Sequence, residues 1–131
     1  MPIVKYSADD LKRGVVVSPG WYLMEILGVG EAPSKDGGST NYPVEGRVIK
    51  NAESESEEYA GVPITWNFNS KAMGFSRGFL QALGVDIEAD KAYELANAKG
   101  SQIEVFVEND TYQNRLVNRV NHNYRKVGAA K

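Results

Sequence analysis

Cysteine is missing altogether, and histidine occurs once, at His122. The first absence rules out a disulfide framework and any thiolate metal site. The second leaves no histidine cluster for zinc and no Ser-His arrangement beyond one isolated ring. No apolar run is long enough to span a bilayer, and MPIVKYSADDLKRG holds no signal-peptide core. A thiol-free chain without such segments fits a reducing compartment, so cytoplasm is the expected location and no membrane the expected partner. Charge is scarce in sum: 15 cations against 17 anions leave a net −2 at pH 7. That total argues weakly against nucleic acid, but an electrostatic footprint depends on the local field.

The distribution is uneven. Residues 31–58 hold three cations and seven anions, and residues 59–110 hold four and seven. After Asp110 no acid follows, while Arg115, Arg119, Arg125, Lys126 and Lys131 remain. The stretch TYQNRLVNRVNHNYRK (111–126) is therefore basic, rich in asparagine, and carries two tyrosines, Tyr112 and Tyr124.

With 131 residues, 42% of them apolar, the chain suffices for one domain with a real core. A single domain over 1–131 is expected, its core about 15–124 and 125–131 a basic C-terminal tail. Ser7 before Ala8, Asp9 and Asp10 has the chemistry of a helix N-cap, which predicts a short helix over Ala8 to Arg13. Trp21 to Val29 reads as the first strand, and SKDGGST (34–40) as a turn. In NYPVEGRVIK, Tyr42, Val44, Gly46 and Val48 alternate with Glu45, Arg47 and Ile49, which gives a second strand. Pro43 puts its start at an edge or bulge. NAESESEEYAG (51–61) is an acidic solvated loop, and Val62, Ile64, Trp66 and Phe68 alternate in a third strand. SKAMGFSRGFLQALG has apolar residues at helical spacing and Gly84 as its stop, which places Phe75 and Phe79 in the core. A second short helix is expected at about Lys91 to Ala98, then a fourth strand in SQIEVFVEN, a turn over Asn109 to Asn114, and a fifth strand in RLVNRVNHNY. Five antiparallel strands with a helix between the third and fourth, after a short N-terminal helix, form the layout of an OB-fold-like barrel.

Several runs also carry a resemblance. PGWYLMEILGV, SKDGGS, YAGVPITWNFNSKAMGFSRGFLQALGVD, KGSQIEVFVEN and NRVNHNYRK together resemble a family of small phage-encoded domains found among replication and recombination genes. The similarity spans roughly residues 15–126. It rests on a glycine-tyrosine strand start, a lysine-glycine turn, a helix ending F-L-x-A-L-G, and a final N-R-V with Tyr124 behind it. It implies an OB-fold single-stranded DNA-binding protein, working in an infected bacterial host cell beside phage or host replication proteins. The acidic C-terminal tail typical of housekeeping single-strand binders is not in this sequence.

Binding single strands without sequence preference needs cations along the phosphates and aromatic faces for the bases. Alternation in the fifth strand puts Arg115, Val117, Arg119 and Asn121 on one face. Tyr112 falls in the loop between the last two strands, where OB-folds often grip ligand. The asparagine amides suit phosphates, sugars or base edges. Lys35 in the first turn, Arg47 and Lys50 on the second strand, and Phe106, out of phase with Ile103, Val105 and Val107, complete the candidates with Tyr124, Arg125 and Lys126. The competing reading is a solvated strand whose arginines pair with surface acids. Trp66 and Phe68 share an apolar face with Val62 and Ile64 and belong to the core, whereas Trp21 and Tyr22 point opposite ways.

Nothing calls for catalysis. The run Glu53, Glu55, Glu57 and Glu58 lacks the ordered oxygen spacing of a calcium loop. GVGEAP and KDGGST do not open a helix after a strand, as a phosphate-binding loop must. The expectation is a non-enzymatic binder of single-stranded DNA, without cofactor or metal and able to assemble with itself. Its rival is a phage structural or protein-interaction β-domain. DNA and RNA are not distinguished at this level.

Overall fold

The computed structural model describes residues 3–7, 11, 12, 14–35, 37–88 and 93–128. Its strands are β1 (Gly20–Val29), β2 (Ala32–Pro33), β3 (Thr40–Asn51), β4 (Pro63–Asn69), β5 (Gln102–Tyr112) and β6 (Arg115–Arg125). The helix α1 (Gly74–Ala82) lies between β4 and β5. All pairings are antiparallel. The five long strands run in the order β4-β3-β1-β5-β6, with the two-residue β2 also on β3.

Period-two alternation explains which face is buried. Tyr22, Met24 and Ile26 point inward from β1, Val44 and Val48 from β3, Ile64, Trp66 and Phe68 from β4, and Ile103, Val105 and Val107 from β5. Phe79 and Leu80 of α1 close the core, with Leu95 and Ala98 from a 3-10 turn, Leu95–Ala98. Gly46 is inward too, because the Trp66 ring fills the space above it: a Cβ there would meet Cζ3 at 3.0 Å and Met24 Cε at 2.8 Å. Pro43 fits β3 because the neighbouring ladder is interrupted there, between Val29 of β1 and Ala32 of β2.

The expected barrel does not close by hydrogen bonds among the described residues. No ladder joins β4 to β6. β6 carries a large bulge: two steps along β5, Val105 to Val107, face four along β6, Tyr124 back to Val120. His122 sits in it at φ 57°. A bulge bends and twists its strand, and aromatic rings fill the seam instead. Tyr124 lies 6.4 Å from Trp66 and 6.2 Å from Phe68, ring centre to ring centre.

The helix begins later than its sequence spacing suggests. A 3-10 turn, Ser70–Ala72, comes first, capped by Asn69, whose side chain accepts the Lys71 N–H at 2.9 Å. Phe75 thus falls in the first turn of α1, past the edge of the core, and is 56% exposed rather than buried. The far end stops as expected. Gly84 takes φ 91°, its N–H bonds Gln81 and that of Val85 bonds Leu80, the Schellman pattern.

The last two strands turn later and more tightly than expected. β5 runs to Tyr112, and only Gln113 and Asn114, both at positive φ, make the hairpin turn. The predicted N-terminal helix lies mostly outside the described residues, although Leu11 and Lys12 are helical and the Leu11 N–H donates to the Ser7 carbonyl. Residues 91 and 92 of the second predicted helix also lie outside them. No helix among the described residues is long and apolar enough to cross a membrane.

Candidate nucleic-acid interface

The cations that the sequence proposes divide into two sets. Arg47, Lys50, Arg119 and Arg125 each have an acid. Arg47 stands opposite Glu25 in the β1–β3 ladder, 2.6 Å from its carboxylate. Lys50 lies 3.3 Å from Glu55, and Arg119 bonds Asp110. Hydrogen bonds from Arg119 and from the Thr111 N–H hold the Asp110 carboxyl below the usual range. Lys35, Arg115 and Lys126 are exposed and have no ion-pair partner among the described residues.

Arg125 is not part of a loose tail. It ends β6, and its Nε is 2.5 Å from Glu104, which is buried. The Gly128 N–H reaches the other oxygen of Glu104 at 2.7 Å. The guanidinium also covers Trp21, 4.1 Å from the ring centre, and approaches Glu53 at 3.9 Å. Phe106 meets Trp21 edge-on at 5.5 Å on this outer face. An aromatic and cationic cluster therefore exists outside the sheet, but Glu53 and Glu104 lie within it. Trp21 was discoverable from sequence, being out of phase with Tyr22, Met24 and Ile26.

Tyr124 faces the other way. It shares the inward phase of Val120, which the two extra residues of the bulge preserve, so its ring packs on Trp66, Phe68 and Phe79, and burial pushes its hydroxyl pKa up. It lines the core seam and is no free base platform. The asparagines, too, are partly committed. Asn118 accepts the Val17 N–H at 2.9 Å and donates to the Val15 carbonyl at 2.8 Å, and Asn109 donates to the Val17 carbonyl at 2.9 Å. They fasten the segment before β1 to the β5–β6 hairpin.

The tip of that hairpin fits ligand binding best. Tyr112 and Arg115 face each other across the turn. Tyr112 is 65% exposed. An unstacked base and its phosphate need such a ring beside such a cation.

The largest cavity described, about 430 Å³, is lined by Tyr42, Met73, Tyr93 and Leu95 together with Glu31 and Glu94. Its two acids suit no phosphate. Among the described residues no three acid, histidine or cysteine side chains gather as a metal site. Neither a protein-family model nor a curated protein matches the chain.

Proposed function

We propose that this chain is an OB-fold-like domain that binds single-stranded DNA without sequence preference, in a phage replication or recombination setting. The strand order supports the fold half of that reading: three consecutive long strands, a helix, then a hairpin returning beside the first. The observation that carries the binding half is the facing pair Tyr112 and Arg115 at an exposed hairpin tip, where Tyr112 ends β5 and Arg115 opens β6, a strand without a single acid. Stacking and charge neutralisation do the work, and no bond is made or broken.

The test is a titration of labelled oligo(dT), duplex DNA and oligo-RNA at low and high salt. Preference for oligo(dT) is expected, with Tyr112→Ala weakening it by about 1–3 kcal/mol, the usual worth of one stacked base. Absence of binding at low salt would sink the reading.

A protein-docking β-domain is the second reading. Its support is the pairing of Arg47, Lys50, Arg119 and Arg125 with acids, which lowers the free charge left for a phosphate chain. On that reading an acidic protein, and not oligo(dT), occupies the hairpin tip.

A further inference from the structure

The outer sheet face mixes its cations with Glu25, Glu53, Glu55 and Glu104. The junction of α1 and β6 does not. No acid occurs from Ser70 to Val85, nor from Thr111 to Lys126. Two acid-free elements that pack together leave one side of the molecule without negative side chains of their own.

An exposed aromatic ring stands on that junction. Phe75 stacks on His122, with ring centres 4.8 Å apart and planes 21° from parallel. His122 in turn lies 5.3 Å from Phe68, which is fully buried. Three rings thus run outward from the core, and Phe75 is the outermost. The left-handed backbone at His122 and the hydrogen bond between its Nδ1 and the Tyr124 hydroxyl, 3.0 Å, hold the middle ring in place. Such φ values are uncommon outside glycine. They are found where surrounding structure enforces them. Lys71, in the 3-10 turn four residues before Phe75, is exposed and has no acid partner among the described residues. Burial, and next the nearby charge of Arg119, lower the His122 pKa, although Arg119 itself is paired with Asp110.

We infer that Phe75 is a stacking platform for a base of the bound single strand, backed by His122, with Lys71 and the acid-free strand β6 beside the flanking phosphates. The inference rests on the single-strand reading above and relocates part of its site from the sheet face to the α1–β6 junction. The seven residue steps from Arg115 to His122 span roughly 20 Å, so the hairpin tip and Phe75 can engage one strand of a few nucleotides.

His122 is the only histidine, so its two ring C–H signals are unambiguous by NMR. Adding oligo(dT) should shift both signals upfield through the stacked base. A nearby phosphate should also raise the midpoint of the His122 titration. Phe75→Leu keeps an apolar cover on His122 but removes the aromatic face. It should weaken oligo(dT) binding about 5- to 100-fold, with an unchanged melting temperature, while Phe75→Trp retains binding. If oligo(dT) binds but the His122 signals stay and Phe75→Leu binds normally, this inference is overturned and the single-strand reading stands. If wild type binds no oligonucleotide at low salt, both fall. His122 shifts that grow with protein concentration in the absence of DNA would make the patch a self-association surface and overturn the inference as well.

Discussion

Two glycine-to-alanine substitutions should have opposite signs, and the difference follows from what a new methyl group meets. At Gly46 a Cβ would lie 2.8 Å from Met24 Cε and 3.0 and 3.1 Å from two atoms of the Trp66 ring. Met24 has a flexible end and can give way. Trp66 cannot easily do so, because it is buried and lies edge-on to Phe79 at 6.4 Å. Overpacking of this kind costs about 1–3 kcal/mol. The reduced freedom of the unfolded chain returns about 0.4–1 kcal/mol. Gly46→Ala should therefore destabilise, by up to roughly 2.6 kcal/mol. At Gly78, inside α1, a Cβ would meet only Tyr124 Cδ2, at an ordinary 3.8 Å. There the helix gains alanine's propensity, about 0.5–1 kcal/mol. Urea unfolding followed by circular dichroism measures both, with near-ultraviolet signals reporting Trp66. A Gly46→Ala protein more stable than wild type, or a Gly78→Ala protein less stable, would refute the contact argument.

Asn118→Ala should cost about 1–3 kcal/mol, because it strands a Val17 N–H and a Val15 carbonyl that are partly buried. Limited proteolysis should then cut near residues 15–17 first. His122 supplies a pH dependence. Burial, and next the charge of Arg119, lower its folded pKa, so between that value and the unfolded one the unfolded chain holds the extra proton. Stability should accordingly fall as pH drops through the ordinary histidine range, and His122→Phe should flatten that part of a thermal-melt series. A series that rises on acidification would contradict the packing described for the ring.

The features legible in the sequence were those governed by local rules. Alternation in β3 and β4 sorted inward from outward residues correctly, down to Gly46, and the glycine stop of α1 was visible at Gly84. The failures came where one residue's position depended on distant partners. Phe75 shares helical spacing with Phe79, but the helix starts only at Gly74, so the same spacing leaves one ring outside. Tyr124 joined the candidates through the basic composition around it, although alternation already sets it opposite Arg115 and Arg119; the bulge near His122 adds two residues and leaves that phase unchanged. No local pattern marks that bulge, since β6 has neither glycine nor proline. The site residues were found as a composition, a basic strand with tyrosines. Their acid partners were not, because register across two strands decides them.

That register bears directly on binding. β6 is free of acids along the chain, but β5 is not, and the ladder sets Glu108 opposite Arg119 and Glu104 opposite Arg125. The segregation seen in the sequence is largely undone in space, and Arg115 is the strand's exposed cation left without an acid among the described residues. If the hairpin binds phosphates, Arg115→Ala should therefore weaken binding more than Arg119→Ala does. The sharper perturbation removes the competitor. Asp110→Asn keeps a carbonyl oxygen for the Thr111 N–H, which the Asp110 side chain now accepts at 2.8 Å, while it frees Arg119 from an opposing charge. Affinity for oligo(dT) should rise, and the log–log salt slope should steepen by up to about 0.7, the value of one added contact on a single strand. A protein ligand that inserts its own acid at Arg119 would also gain, but a duplex-insensitive, length-dependent response to oligo(dT) would not follow from it. Unchanged affinity and slope in Asp110→Asn would mean that Arg119 never reaches the phosphates, and would leave Arg115 as the strand's contact.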